Sequence, residues 1–267
     1  MDKLQAAMEK TFVPITAKMN SQRHVAALRD AFTLVFPLTM AGSIVVLINY
    51  VFLDPNGFVA SLLHLDKLIP NLASYQNIFT PVIAGTTNIM AILIYFLVGY
   101  QLAQEMKGDK LLCGITSLAV FFILYPSTTA LKDGTQVWAT TYFGAQGLFV
   151  ALIFGMISTE ILTRLSRIEK LRIKMPEMVP PAVAQSFNLL IPIMIVLAVA
   201  SLSSFIFKNI TAGGIQVVIY NAIQAPMTSL GSSMGTILVF VVVQQFLWIL
   251  GIHGSNTLSA LRQVIFT

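Results

Sequence analysis

Residues 31–53 read AFTLVFPLTMAGSIVVLINYVFL, running from Ala31 to Leu53 with no charged side chain. At ~1.5 Å per residue a helix over this stretch covers the ~30 Å hydrocarbon core of a bilayer. Pro37 and Gly42 interrupt the run, which neighbouring helices in a membrane can tolerate. Asp54-Pro55-Asn56-Gly57 follows as a turn signal and closes the span.

The rest of the chain repeats that reading. Of 267 residues 56% are apolar and 10% charged, more apolar surface than a soluble domain of this length could keep from water. The second span is expected from about Phe79 to Gln101, with Asn88 and Tyr95 as its polar points. The third runs from Leu111 to about Thr129, and Lys132-Asp133-Gly134-Thr135 forms an exposed turn after it. The fourth, about Tyr142 to Leu162, ends near Glu160, read as an interfacial residue beside Arg164. A fifth is expected over Ser186 to Phe207, broken by Pro192. Thr211 to Leu230 is a Gly- and Ser-punctuated connection, and Thr236 to Leu250 a short sixth span. His64, between the first two spans, reads as a solvated loop histidine. The fold expected is an all-α polytopic transmembrane bundle of about six to seven membrane segments. Residues 1–24 precede it as an amphipathic interfacial helix, with Leu4, Met8, Phe12 and Ile15 on one face and Lys3, Lys10 and Lys18 between them.

Charge then gives orientation. Five Lys and Arg lie at or before Arg29, two between spans two and three, and five between spans four and five. The alternate loops hold only Lys67, Lys132 and Lys208. Twelve against three places the N-terminus in the cytoplasm. The basic balance therefore reports membrane orientation and not nucleic-acid binding. A single cysteine, Cys113, excludes a disulfide within the chain, and three scattered histidines argue against a metal site. No phosphate-binding glycine loop, zinc-ligand histidine pair or serine nucleophile elbow is present, and no cofactor is expected. Intramembrane acids of the kind proton pumps use are also lacking, which weakens an ion-coupled reading.

Two stretches stand out. Lys174-Met175-Pro176 with Val179-Pro180-Pro181-Ala182-Val183 sets three prolines within six residues, an extended and stiff connector after a basic segment. It reads as a rigid linker or as a hinge between two bundles. Later, Trp248-Ile249-Leu250-Gly251-Ile252-His253-Gly254-Ser255-Asn256-Thr257 ends an apolar run in a histidine between glycines. An imidazole there needs a partner or a water-filled cavity if it lies in the membrane, and the glycines let backbone approach a ligand. The other reading is a helix end at the surface, with Gly254 as cap and His253 facing water. A full sixth crossing puts His253 at the cytoplasmic side; a re-entrant element leaves it at membrane depth.

These two motifs, at their mutual spacing, resemble the membrane component, enzyme IIC, of the bacterial phosphoenolpyruvate-dependent sugar phosphotransferase system, in its lactose/cellobiose/N,N′-diacetylchitobiose branch. The resemblance implies a multi-pass inner-membrane sugar permease that works as a homodimer. It implies a dimerisation bundle over residues 25–175, a Pro-rich connector over 176–185, and the start of a sugar-binding transport domain over 186–267. It also implies a soluble IIB partner, charged through IIA upstream, whose phosphocysteine phosphorylates the sugar. The chain itself is then not the phosphoryl carrier. The family's histidine falls on His253, as a sugar ligand near the hydroxyl to be phosphorylated. A neutral imidazole can accept that hydroxyl proton, so His253 is also the candidate catalytic base. Asn256 and Ser255 offer donors and acceptors to a sugar. Trp248 offers a face for a pyranose ring or an interfacial anchor.

Members of that family are longer than this chain, and their sugar-binding glutamate lies in a C-terminal part to which no residue here corresponds. The expectation is a fragment or a shortened relative that keeps the dimer-forming half. The reading is a permease for a β-linked disaccharide such as cellobiose or diacetylchitobiose. A non-transporting membrane dimer scaffold and an ion-coupled secondary transporter are the competing classes.

Overall fold

The computed structural model describes residues 22–126, 128–176, 178–211, 213–224 and 233–249. The interfacial segment expected over 1–24 lies outside them up to position 21.

The first span is α1, Arg23–Leu47, prolonged by a π turn over Ile48–Phe52. It begins well before the apolar run, because polar residues such as Arg29 and Asp30 are helical and paired at 2.8 Å. Pro37 sits inside α1 without ending it. The turn follows as the sequence indicates: the Asp54 side chain accepts from the Asn56 amide at 2.9 Å and its carbonyl from Gly57 at 2.8 Å. Two short helices, α2 (Phe58–Leu62) and α3 (Leu65–Leu68), come next, joined at exposed His64 with φ 49°.

The second span is not continuous. α4 (Gln76–Ala84) stops at Gly85, and α5 (Met90–Glu105) starts after a single 3-10 turn over Thr87–Ile89. The hydroxyls of Thr86 and Thr87 turn back to the carbonyls of Val82 (2.6 Å) and Ile83 (3.2 Å), replacing ladder bonds with local ones. Gly42 of α1 makes room for this break. A Cβ there would lie 2.4 Å from the Thr86 hydroxyl oxygen.

α6 (Lys110–Leu124) is capped by Asp109, whose carboxylate accepts from the Leu112 amide at 2.9 Å. The exposed turn after it closes a small antiparallel hairpin, β1 (Thr129–Ala130) with β2 (Gln136–Val137), an addition to the all-α reading. Gly134 takes φ 84° at its tip, the left-handed region that glycine enters at little cost. α7 (Leu148–Leu165) and α8 (Pro181–Ile210) follow. α8 runs unbroken through Pro192, against the expected break, and it opens at Pro181, inside the proline-rich stretch. Proline suits a first helical turn, where its missing N–H would be unpaired anyway. α9 (Gly214–Ile219), a π turn over Tyr220–Gln224, and α10 (Met234–Ile249) complete the described chain.

Four helical stretches among the described residues are long and apolar enough to cross a membrane: Arg23–Phe52, Leu72–Glu105, Ala145–Leu165 and Val183–Ile210. The apolar helices within Lys110–Leu124, Gly214–Ile223 and Met234–Gln245 are shorter. α5 is the central element, packed against α1, α6 and α7, while α6 also meets α8. Its Ile94, Tyr95, Val98 and Leu102 are fully buried. The Tyr95 ring meets Phe121 edge-on at 5.2 Å between centroids. Lipid offers no hydrophobic drive between helices, so close approach at small residues does the work. Gly99 lies against Ser117, and Gly114 against Phe96.

Candidate functional site

The alternation of spans gathers one kind of end. The start of α1, the α5–α6 turn, the end of α7 and the start of α8 meet at the basic end of the bundle. Arg167 of the α7 end donates to the Met106 carbonyl at 2.5 Å, completing the C-terminus of α5. Gln185 of α8 donates to the second carboxylate oxygen of Asp109 at 2.5 Å, so the residue that caps α6 also ties down α8. Arg172 donates from Nε to the Ser166 carbonyl at 2.9 Å and folds the post-α7 segment back. Between these elements lies a polar cavity of about 340 Å³, whose lining includes Lys107, Asp109, Arg167, Arg172, Gln185 and Asn188.

Glu160 sits at the same end. Its Oε1 accepts from Nη2 of Arg23 at 2.6 Å and from Nη2 of Arg164, and its Oε2 faces Nε2 of His24 at 2.6 Å. The sequence placed Glu160 beside Arg164 at helical spacing. Arg23 and His24, on another helix, carry no signal of that pairing. At the opposite end a second polar cavity, of about 440 Å³, is lined by Ser43, Thr87, Asn88, Thr140, Thr141 and Gly144 among others. It owes its existence to the α4–α5 break, which the apolar run hid.

Of the four sequence-predicted site residues, Trp248 falls in the last turn of α10, and His253, Ser255 and Asn256 lie outside the described residues. The arrangement of the four therefore lies outside the described residues. The structure does describe the approach to them. α8 ends at Ile210, and the chain turns at left-handed Gly214 (φ 61°), whose carbonyl accepts from the Thr211 hydroxyl at 3.1 Å. α9 then packs on α8, α7 and α6. Its Gln216 is fully buried, and neither side-chain amide atom has a hydrogen-bond partner. The described residues then take up α10 from Met234 to Ile249. Among the described residues no three His, Cys, Asp or Glu side chains come together as metal ligands.

The family model for "Phosphotransferase system, EIIC" matches residues 29–266. The oligo-beta-mannoside-specific EIIC component of Bacillus subtilis is 36% identical over 95% of this chain and 56% of its own length. The cellobiose-specific EIIC component of Geobacillus stearothermophilus is 32% identical over 96% of this chain and 56% of its own length. Among solved structures, ChbC, the IIC component of the N,N′-diacetylchitobiose-specific phosphotransferase system, superposes with a TM-score of 0.80 at 33% identity. That match covers 97% of this chain and 60% of the other. The chain thus spans a little over half the length of these relatives.

Proposed function

The chain belongs to the EIIC family of the phosphotransferase system, membrane transporters built as helical bundles, and from that premise we propose that it serves as a permease component for a β-linked disaccharide. The observation that carries this reading is the agreement with ChbC over almost the whole chain at 33% identity and a TM-score of 0.80. Relatives named for cellobiose and for oligo-β-mannosides support the substrate class, since both sugars are β-linked. In this reading residues 25–175 form the dimer-forming bundle of a homodimer, 176–185 the connector, and 186–267 the beginning of the sugar-binding part. The twelve basic residues at the ends of alternate spans support an N-terminus in the cytoplasm. There the soluble IIB partner, recharged through IIA, delivers the phosphoryl group.

His253 accepts the proton of the sugar hydroxyl as that oxygen attacks the phosphocysteine of IIB, and Asn256 and Ser255 hold neighbouring hydroxyls. In the re-entrant reading His253 lies at membrane depth beside the sugar. Trp248, at the end of α10, gives the pyranose ring an apolar face in that arrangement.

The test is equilibrium binding of radiolabelled cellobiose and diacetylchitobiose to purified chain, with His253→Ala beside it. Saturable binding that the variant loses supports a working sugar site. Absence of binding to either sugar, with the chain still dimeric in detergent, favours the scaffold reading and sinks the permease assignment for this chain.

A further inference from the structure

A cleft of about 480 Å³ runs between the start of α1 and the outer face of α7, with His24 on one side and Ile153, Met156, Ile157 and Ile161 on the other. Residues 153 to 161 rise ~12 Å along α7, so the trough is aliphatic for more than two turns. It ends at the Glu160 cluster, where the charges do not balance. Two guanidinium groups, Arg23 and Arg164, donate to the same carboxylate oxygen. Two guanidinium groups against one carboxylate leave one surplus positive charge. Each guanidinium has five N–H donors, and only one of each is spent on Glu160. The carboxylate is the inner partner: its side chain is 19% exposed, against 43% for Arg23 and 67% for Arg164. The unspent donors therefore face outward, at the end of the spans.

We infer that this cleft binds an anionic glycerophospholipid, with an acyl chain along the isoleucine trough and the phosphodiester on the outer donors of Arg23 and Arg164. The headgroup charge of −1 matches the surplus of the cluster, and planar guanidinium groups suit phosphate oxygens. A choline headgroup would set its own cation against the same arginines. An acidic peptide would meet aliphatic side chains on an intact helix, with no free backbone groups to pair. Basic clefts between transmembrane helices at a headgroup level are where such lipids are held. This inference does not depend on sugar transport.

Native mass spectrometry of the full chain tests it, after incubation with equal amounts of dioleoyl phosphatidylglycerol and dioleoyl phosphatidylcholine. One surplus positive charge at a membrane surface corresponds to a preference for the anionic lipid of about fivefold. The double variant Arg23→Gln/Arg164→Gln should bring the two lipids near parity. Glu160→Gln should strengthen anionic retention, because it frees both guanidinium groups. Ile157→Trp leaves the ion cluster whole and fills the trough, and should lower retention too, which keeps the test valid if the double variant fails to fold. Equal retention of both lipids by the native chain overturns the inference. So does a preference that appears only after removal of residues 1–21, which would mean the chain's own N-terminal segment occupies the cleft. Dissociation of an oligomer by Ile157→Trp with lipid retention unchanged would assign the cleft to a second copy and overturn it as well.

Discussion

Replacing Gly99 by alanine adds one methyl group at the crossing of α5 and α6. That Cβ would lie 2.7 Å from Cβ of Ser117, and 3.1 Å from both the Ser117 hydroxyl and the Cys113 carbonyl. Carbon atoms pack best about 3.5–4.0 Å apart, so the helices must separate by about 1 Å where they are closest. Overpacking of this kind costs about 1–3 kcal/mol. The better helix propensity of alanine returns up to about 1 kcal/mol. The expected net loss is about 1–2 kcal/mol, a fall of about 3–6 °C in apparent Tm for a chain of this size. Gly155 on α7 supplies the control, because it faces the same serine with ordinary clearance. Its Cβ would meet the Ser117 hydroxyl and Val98 at 3.4 Å and the Tyr95 carbonyl at 3.5 Å. Gly155→Ala should leave Tm unchanged or slightly raised. Ser117→Gly then removes the obstacle, at the loss of the 3.0 Å bond its hydroxyl donates to the Tyr95 carbonyl, worth about 0.6 kcal/mol in a membrane interior. In the Gly99→Ala background it should recover most of the Tm. The assay is thermal unfolding in one detergent at one scan rate, since such unfolding is often irreversible. Equal effects of the two alanine variants, or no recovery with Ser117→Gly, would refute the reasoning.

Three further outcomes follow from single side chains. Asp109 caps α6 and also holds Gln185, so Asp109→Ala should cost about 1 kcal/mol or more and speed hydrogen exchange at the Leu112 amide, while Gln185→Ala leaves that amide protected. The buried Tyr95 hydroxyl has no hydrogen-bond partner among the described residues, so Tyr95→Phe should be neutral or raise Tm, by up to about 1 kcal/mol in stability; a clear loss would reveal a partner. In the hairpin turn, the Thr135 amide and hydroxyl hold the Asp133 carboxyl below its ordinary pKa. A lowered native pKa stabilises the turn above the unfolded value, about 3.9, and the benefit is lost as pH falls through the lower native one. Protection of the Thr135 amide relative to Leu131 should therefore hold above about pH 4 and fade below it, and Asp133→Asn should abolish the pH dependence.

What could be read from the chain alone was whatever depends on neighbours in sequence. The uncharged run from Ala31 to Leu53, the Asp54 turn and the Lys132–Thr135 turn are local chemistry, and each is found where the residues put it. The Glu160–Arg164 pairing is local too, four residues apart on one helix. Arg23 and His24, 137 and 136 residues away from Glu160, leave no trace in periodicity, although they turn an interfacial carboxylate into a positively charged cluster. The histidine stretch stands out by residue types and a family resemblance, but His253 lies outside the described residues and no local pattern fixes its depth.

The unbroken helix at Pro192 and the break after Gly85 have one explanation. Pro192 removes a single N–H from α8, and a helix of 30 residues carries on through that loss. The run before Gly85 holds a proline too, Pro81, but α4 passes it and continues to Ala84, and the break comes only after that. There the Thr86 and Thr87 hydroxyls offer the Val82 and Ile83 carbonyls an alternative to the helical ladder. Gly42, more than forty residues earlier, leaves the space in which Thr86 can sit. A membrane helix breaks where another helix makes room for the broken backbone and side chains satisfy it, so Gly42 with Thr86 says more about this fold than either proline. Gly42→Ala should on this account disturb the α4–α5 junction and the polar cavity it opens, while α1 itself stays helical.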